Sequence, residues 1–388
     1  MTDVTKILLV IRSLERGGTE RHLLRTIPSV SNAHNRIEIF CFERPGELAS
    51  SMKALGVNVV TPPLSGWLHH VPLALKPFST VWTCLYFLIY IFFSNPKIIH
   101  FFLPAAYLLL GPVSLLHVTS KKIMSRRSLN KYLEKYPRLI CKIEQSLHRR
   151  MDLILANSNS VFQELEQNEH VPHEKLRLIY NGVSVITGDA KKYRDDVRAE
   201  FGLPDDAVVL ITVANLLPYK GHADLVEACG IVAATHKKQF RWALMAIGND
   251  NVGLKATLEM HAAKLGIADN VHFVGKRTDI DRCLEAADIG VLVSHEEGFS
   301  NAILEGMAAG LPMIVSDVGG NPEAVVHNET GLVVPVKSST KLAEAIEYLC
   351  LNRDLAAKMG EAGRKRAISN FSIERSAKGY AAVYDSLK

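Results

Sequence analysis

The stretch Ser294-His295-Glu296-Glu297-Gly298-Phe299-Ser300-Asn301-Ala302-Ile303-Leu304-Glu305 decides how the chain is read. It follows a strand-like run, Ile289-Gly290-Val291-Leu292-Val293, and enters a helix-like one from Ala302 to Ala309. A strand that stops at a glycine-containing turn and restarts as a helix leaves backbone N–H groups without partners at the helix N-terminus. Those groups and the helix dipole favour a bound phosphate. Glu297 stands before the helix and Glu305 about a turn inside it. A diphosphate on the N–H groups would place one carboxylate near each end of a nucleotide sugar. Taken alone, the segment is equally compatible with an ordinary strand-to-helix turn carrying a surface glutamate.

The segment continues as Gly306-Met307-Ala308-Ala309-Gly310-Leu311-Pro312 and then Asp317-Val318-Gly319-Gly320-Asn321-Pro322-Glu323. Together these residues resemble the donor-site signature of the family-4 retaining glycosyltransferases, in which two glutamates bracket the sugar nucleotide. The resemblance implies the GT-B architecture of that family: an α/β chain with two Rossmann-like, doubly wound domains facing a central cleft.

Length and composition agree with such a chain. Its 388 residues suffice for two cores, and 48% of them are apolar. Six scattered cysteines without metal spacing read as reduced thiols of a cytoplasmic protein. Met1 to Lys6 leads almost directly into a strand and does not read as a signal peptide. The net charge of +5 is uneven: residues 1–187 carry +9 and the remainder −4. A basic first half suits an anionic partner or a membrane surface. No basic helix with interleaved aromatics points to nucleic acid.

Working outward, strand-helix units repeat along the chain. Lys6-Ile7-Leu8-Leu9-Val10-Ile11 reads as a buried parallel strand, followed by a Gly17-Gly18 loop opening a helix. The resemblance puts Gly17 and Gly18 on the donor. Val81 to Phe93 is the most apolar run, short of a confident membrane span, and reads either as packing against the sheet or as shallow insertion into a membrane. Lys97-Ile98-Ile99-His100-Phe101-Phe102 resembles the family strand ending in His. Where many relatives carry a second His near the transferred sugar, this chain has Ser125-Arg126-Arg127-Ser128. No catalytic His is carried over there. Arg126 and Arg127 are candidate phosphate ligands, with a solvated basic turn as the alternative, and His100 is a candidate at the acceptor.

The polar segment Ser184–Asp196 reads as an interdomain linker. The expected division is an acceptor domain over 1–187, a donor domain over 188–370 and a final helix over 371–388 that crosses back to the first domain. After Val208–Val213, Lys220 matches the family lysine on the donor phosphates, while Asn215 replaces the expected arginine. The resemblance assigns Gly275, Arg277 and Ile280 to the nucleobase end. It assigns Glu297, Gly298, Phe299, Ser300, Asn301 and Glu305 to the sugar, phosphate and ribose. Asp279-Ile280-Asp281 contains an Asp-x-Asp, read here as a helix cap and not as a metal site.

The reaction implied is metal-independent hexosyl transfer with retention, from a nucleotide sugar to a hydroxyl of a glycan or polyprenyl-linked acceptor. It would serve polysaccharide or glycolipid biosynthesis. Glu297 and Lys220 are the expected catalytic residues. UDP-sugar is favoured over GDP-sugar, no cofactor is expected, and the expected place is the cytoplasm or the inner face of the plasma membrane. A silent nucleotide-sugar-binding subunit and a sugar-nucleotide epimerase are the alternatives.

Overall fold

The computed structural model describes residues 4–31, 34–63, 76–130, 137–185, 189–235 and 239–388. These residues form two compact units, one comprising Met1–Gly182 with Ile373–Lys388 and the other Val183–Ser372.

Unit 1 is built on seven strands: β1 (Thr5–Ser13), β2 (Asn35–Arg44), β3 (Asn58–Val60), β4 (Ile98–Phe102), β5 (Lys121–Arg126), β6 (Leu153–Ala156) and β7 (Leu176–Leu178). Their order is β3-β2-β1-β4-β5-β6-β7, with every recorded pair parallel. Ile7 to Ile11 are at most 1% exposed, which explains an unbroken apolar run in place of an alternating one. The order reverses direction beside β1, so the connections leaving β1 and β4 lead to opposite sides of the sheet, and the crevice this opens at their C-terminal ends is the usual ligand position in such sheets.

Unit 2 repeats the plan with β8 (Val208–Val213), β9 (Trp242–Ile247), β10 (Val271–Gly275), β11 (Ile289–Leu292), β12 (Met313–Ser316) and β13 (Gly331–Val334). The order is β10-β9-β8-β11-β12-β13, again parallel, and the switch point falls between β8 and β11. The two doubly wound α/β units expected from the sequence are present.

The linker reading is corrected. Ala190–Glu200 is a helix capped by Asp189, whose carboxylate accepts from the Lys192 N–H at 3.0 Å. Its Arg194 and Arg198 donate to the two oxygens of Asp288, at 2.7 and 2.8 Å, beside β8. The charge run that looked like a solvated connector is thus fastened to unit 2. Gly188, part of the same reading, lies outside the described residues. The last helix, Ile373–Asp385, belongs to unit 1, where Tyr380 and Tyr384 pack among the β1 and β4 side chains.

Candidate active site

In unit 2 the loops after β8 and β11 leave neighbouring strand ends. After β8 the chain makes a single turn, Pro218–Lys220, and escapes through Gly221 at φ 75° into the helix His222–Thr235. A Cβ on Gly221 would run into the Val293 carbonyl oxygen, so only glycine lets the two loops close on each other. They are then joined: the His295 N–H donates to the Tyr219 carbonyl at 2.7 Å, and His295 Nε2 meets Asp224 Oδ2 at 2.5 Å.

This closure sets the central contact. Lys220 Nζ donates to Glu297 Oε1 at 2.5 Å, and Ser294 Oγ donates to the same oxygen at 2.8 Å. The Lys220 side chain is 19% exposed. Burial works against its charge, but Glu297 more than offsets this and holds the ammonium above its ordinary pKa. Lys220 is therefore a fixed cation at neutral pH.

A third loop supports the arrangement from the β12 side. Ser316 Oγ donates to the Ser294 carbonyl at 2.5 Å, and Asn321 Nδ2 donates to the Ser316 carbonyl at 3.1 Å. The Gly320 N–H donates to Gly298 O at 2.8 Å, while Gly319, at φ 54°, lets the chain pass directly over the Glu297 carbonyl. Ser294, Ser316, Gly319 and Asn321 were not singled out as site residues from the sequence. Their role depends on β12 lying next to β11; Ser294, Gly319 and Asn321 fell within the quoted signature, but nothing in the sequence pointed to Ser316.

Beyond Gly298, Phe299 is buried against Phe371 with ring centroids 5.2 Å apart. Ser300 then precedes the helix Asn301–Ala308 without a side-chain cap. The first amides of that helix have no intrahelical acceptor by construction. Glu305 is 4% exposed, one turn in. Gly290 on β11 and Gly306 on the helix both make room for the Met313 side chain, which draws the helix close to the sheet. Lys220, Glu297, Gly298, Phe299, Ser300, Asn301 and Glu305 thus come together around two adjacent strand ends.

Other expected residues sit differently. Asn215 pins its own loop: its side-chain oxygen accepts from the Asn249 N–H at 3.1 Å and its carbonyl from His222 Nε2 at 3.1 Å. Gly275 has φ 77° and its carbonyl accepts from the Gly248 N–H at 3.0 Å. Arg277 donates twice to Asp279, at 2.9 and 2.8 Å, and also pairs with Glu200. Its charge is spent on shaping the loop that leads to the buried Ile280. Asp279 consequently does not cap the following helix, against the sequence expectation, because its carboxylate faces Arg277 instead.

Unit 1 overturns several expectations. The Gly17 N–H donates to Glu15 O at 2.8 Å, and the Glu20 carboxylate folds over Gly17, so the loop makes these contacts within itself. Gly18 begins the helix Gly18–Val30. His100 is fully buried, with Nδ1 against Tyr384 Oη and Nε2 against Ser125 Oγ, both at 2.8 Å. Burial, and then the nearby Arg127 charge, lower its pKa to about 3. It is a neutral core histidine and does not face an acceptor. Arg126 is 1% exposed, donating to Glu144 at 2.6 Å and pairing with Glu169, which also meets His148 Nε2 at 2.7 Å. A guanidinium buried in the core, its charge matched by two carboxylates, is out of reach of a phosphate. The same cluster, Glu144, His148 and Glu169, has metal-like spacing, but Arg126 supplies its counter-charge. Of the two arginines only Arg127 is partly exposed, donating to Asn181 Oδ1 at 2.7 Å and Tyr380 Oη at 3.2 Å.

Residues 193–366 match the model "Glycosyl transferases group 1", and residues 16–185 match "Glycosyltransferase Family 4". The chain is 30% identical over 247 residues to the N-acetyl-alpha-D-glucosaminyl L-malate synthase of Bacillus anthracis, a match over 62% of this chain and 60% of that protein. The matched region thus spans less than two thirds of that relative. A glycosyltransferase from Rickettsia africae superposes with a TM-score of 0.82 at 21% identity, over 99% of both chains. Anabaena HepE in complex with UDP and glucose superposes with a TM-score of 0.81 at 19% identity, over 98% of this chain and 100% of that one.

Proposed function

The chain belongs to the family-4 glycosyltransferases, and from that premise we propose that it moves a hexosyl group from a nucleoside-diphosphate sugar to a hydroxyl of a glycan or polyprenyl-linked acceptor, with retention of anomeric configuration. The observation that carries this reading is the Lys220–Glu297 contact at 2.5 Å, set before the N-terminus of the helix Asn301–Ala308.

In this reading the leaving diphosphate takes Lys220 from Glu297. The released carboxylate then accepts hydrogen bonds from sugar hydroxyls and favours positive charge at the anomeric carbon. The amides at Ser300 and Asn301 and the dipole of their helix receive the remaining phosphate charge. Such donors stabilise the departing diphosphate without a metal. Glu305 accepts from the ribose, and the Gly275–Ile280 segment borders the base. Attack comes from the face the diphosphate leaves, with a phosphate oxygen taking the acceptor proton. Glu297 forms no covalent bond.

A UDP-sugar is the donor we favour, supported by the UDP-bound fold neighbour. A lipid-linked acceptor at the inner face of the plasma membrane is supported by the exposed apolar residues of the helix Lys76–Ser94.

The test is a thermal-shift screen of UDP- and GDP-sugars, followed by transfer assays with polyprenyl-linked acceptors and determination of the anomeric configuration of the product. Nucleotide release that requires acceptor and yields a retained product is expected. Product formed without acceptor would instead identify an epimerase, and donor binding with no turnover on any acceptor would identify a binding subunit. Glu297→Gln with sugar turnover intact would refute the role given to that carboxylate.

A further inference from the structure

The helix Lys76–Ser94 has two apolar faces, and unit 1 uses one of them. Phe87 and Ile91 are fully buried against the sheet. On the opposite side Phe78, Val81, Leu85, Ile89, Phe92 and Phe93 are all more than half or about half exposed, Phe93 reaching 88%. Their spacing of three and four residues keeps them on one stripe, about 24 Å long at the rise of an α-helix. Isolated exposed apolar residues are ordinary on a protein surface, but an uninterrupted stripe is not.

The stripe is extended by a turn that is held firmly in place. Leu116 is 61% and Val118 84% exposed, and between them the His117 ring meets Phe92 with centroids 5.1 Å apart. The buried Lys122 ammonium donates to the carbonyls of His117 and Ser120, at 2.9 and 2.6 Å. Ser120 Oγ donates to Pro96 O at 2.5 Å. Polar bonds therefore fix a turn whose outward side chains are apolar.

Lysines border this end. The Lys97 N–H donates to Lys6 O at 2.9 Å and the Lys121 N–H to Lys97 O at 2.8 Å, which sets the three side by side just beyond the helix. Lys97 and Lys121 are exposed, Lys121 pairing with Asp152 at 3.0 Å, and Lys6 Nζ donates to Ser94 O at 2.7 Å.

We propose that this face, the stripe together with Leu116 and Val118, inserts into the interfacial layer of a bilayer containing anionic lipids, with Lys97 and Lys121 at the headgroups. The lysine border is complementary to anionic headgroups. Thr80 is the one exposed polar side chain between Phe78 and Phe93. A protein partner would need hydrogen-bonding groups across the contact, whereas acyl chains need none. Among the described residues no helix is long and apolar enough to cross a membrane, and the proposed contact is an interfacial one. The inference deepens the lipid-linked reading of the acceptor and rests on that reading for its purpose.

The test is sedimentation of the full chain with vesicles of phosphatidylcholine alone or mixed with phosphatidylglycerol, without substrate. Wild type should partition onto the mixed vesicles and be released by salt. Leu85→Ser/Ile89→Ser/Phe92→Ser should lower partitioning at least about tenfold while keeping the wild-type melting temperature. Lys97→Glu/Lys121→Glu should abolish the preference for the anionic lipid. Equal partitioning of wild type and the triple variant overturns the proposal, as does a concentration-dependent dimer that the triple variant dissolves. Transfer to a short-chain, water-soluble acceptor is measured in parallel. Its loss in wild type would count against the proposed reaction, whereas lost vesicle binding with that transfer intact counts against the surface alone.

Discussion

Lys220 Nζ lies 2.5 Å from Glu297 Oε1 and so joins the turn after β8 to the loop after β11. The two residues are 77 positions apart in the chain, and their meeting depends on β8 and β11 being neighbours in the sheet. The cation proposed for the phosphates neutralises the carboxylate proposed for the sugar.

Lys220→Ala should therefore affect both halves of the reaction. It removes a charge from the leaving diphosphate and leaves Glu297 with only Ser294 as a recorded donor. We expect kcat/KM for transfer to fall by about two to three orders of magnitude, the range for losing a group that stabilises developing charge. A steady-state value within threefold of wild type would rule out the role given to Lys220.

Gly221→Ala tests the closure of the two loops. Gly202 has a similar positive φ, 60°, but a Cβ there meets nothing within 4 Å. Gly202→Ala should cost about 1 kcal/mol for backbone strain alone. Gly221→Ala carries that strain plus the collision with Val293 O, and about 2–4 kcal/mol is expected. Denaturant melts of the two variants give the comparison. Equal losses would mean that the close approach is not needed.

Arg126→Met should destabilise unit 1 by about 3–5 kcal/mol, because it strands Glu144 and Glu169 as buried carboxylates without their counter-charge. Donor affinity, measured by calorimetry at a temperature where the variant is folded, should match wild type. Weakened donor binding at unchanged stability would return Arg126 to the phosphate site.

Two buried histidines predict an acid sensitivity that begins well above the carboxylate range. His100, with its folded pKa near 3, and His22, lowered in the same direction by burial and then by Arg127 and Arg25, stay neutral in the folded state. The unfolded chain protonates them near pH 6.5, so it binds more protons across that interval. Stability should then fall as pH drops below about 6.5, by up to about 1.4 kcal/mol per pH unit for each histidine. Glu20 and Glu144, raised by burial, act in the opposite direction, so the informative quantity is a difference between proteins. Between pH 6 and 4 the stability of His100→Asn should fall less steeply than that of wild type by nearly one proton. Parallel slopes would show that His100 is charged in the folded protein.

The local sequence carried much of this. Apolar runs such as Ile7–Ile11 specify buried parallel strands because burial on both faces suppresses alternation, and glycine turns before helices mark the strand ends where ligands bind. Glu297, Gly298 and Glu305 were legible as a group because they lie within one turn and one helix. What lay outside that range depended on which strands became neighbours. The sequence by itself determined two doubly wound units and the chemical character of the loop after β11. Only the tertiary structure decided that Lys220 meets Glu297, that Ser316 and Gly319 support the loop from β12, and that Arg126 and His100 are enclosed in the core. Burial and ion pairing are set by distant segments, so an arginine beside another arginine looks the same in sequence whether it faces water or two buried carboxylates.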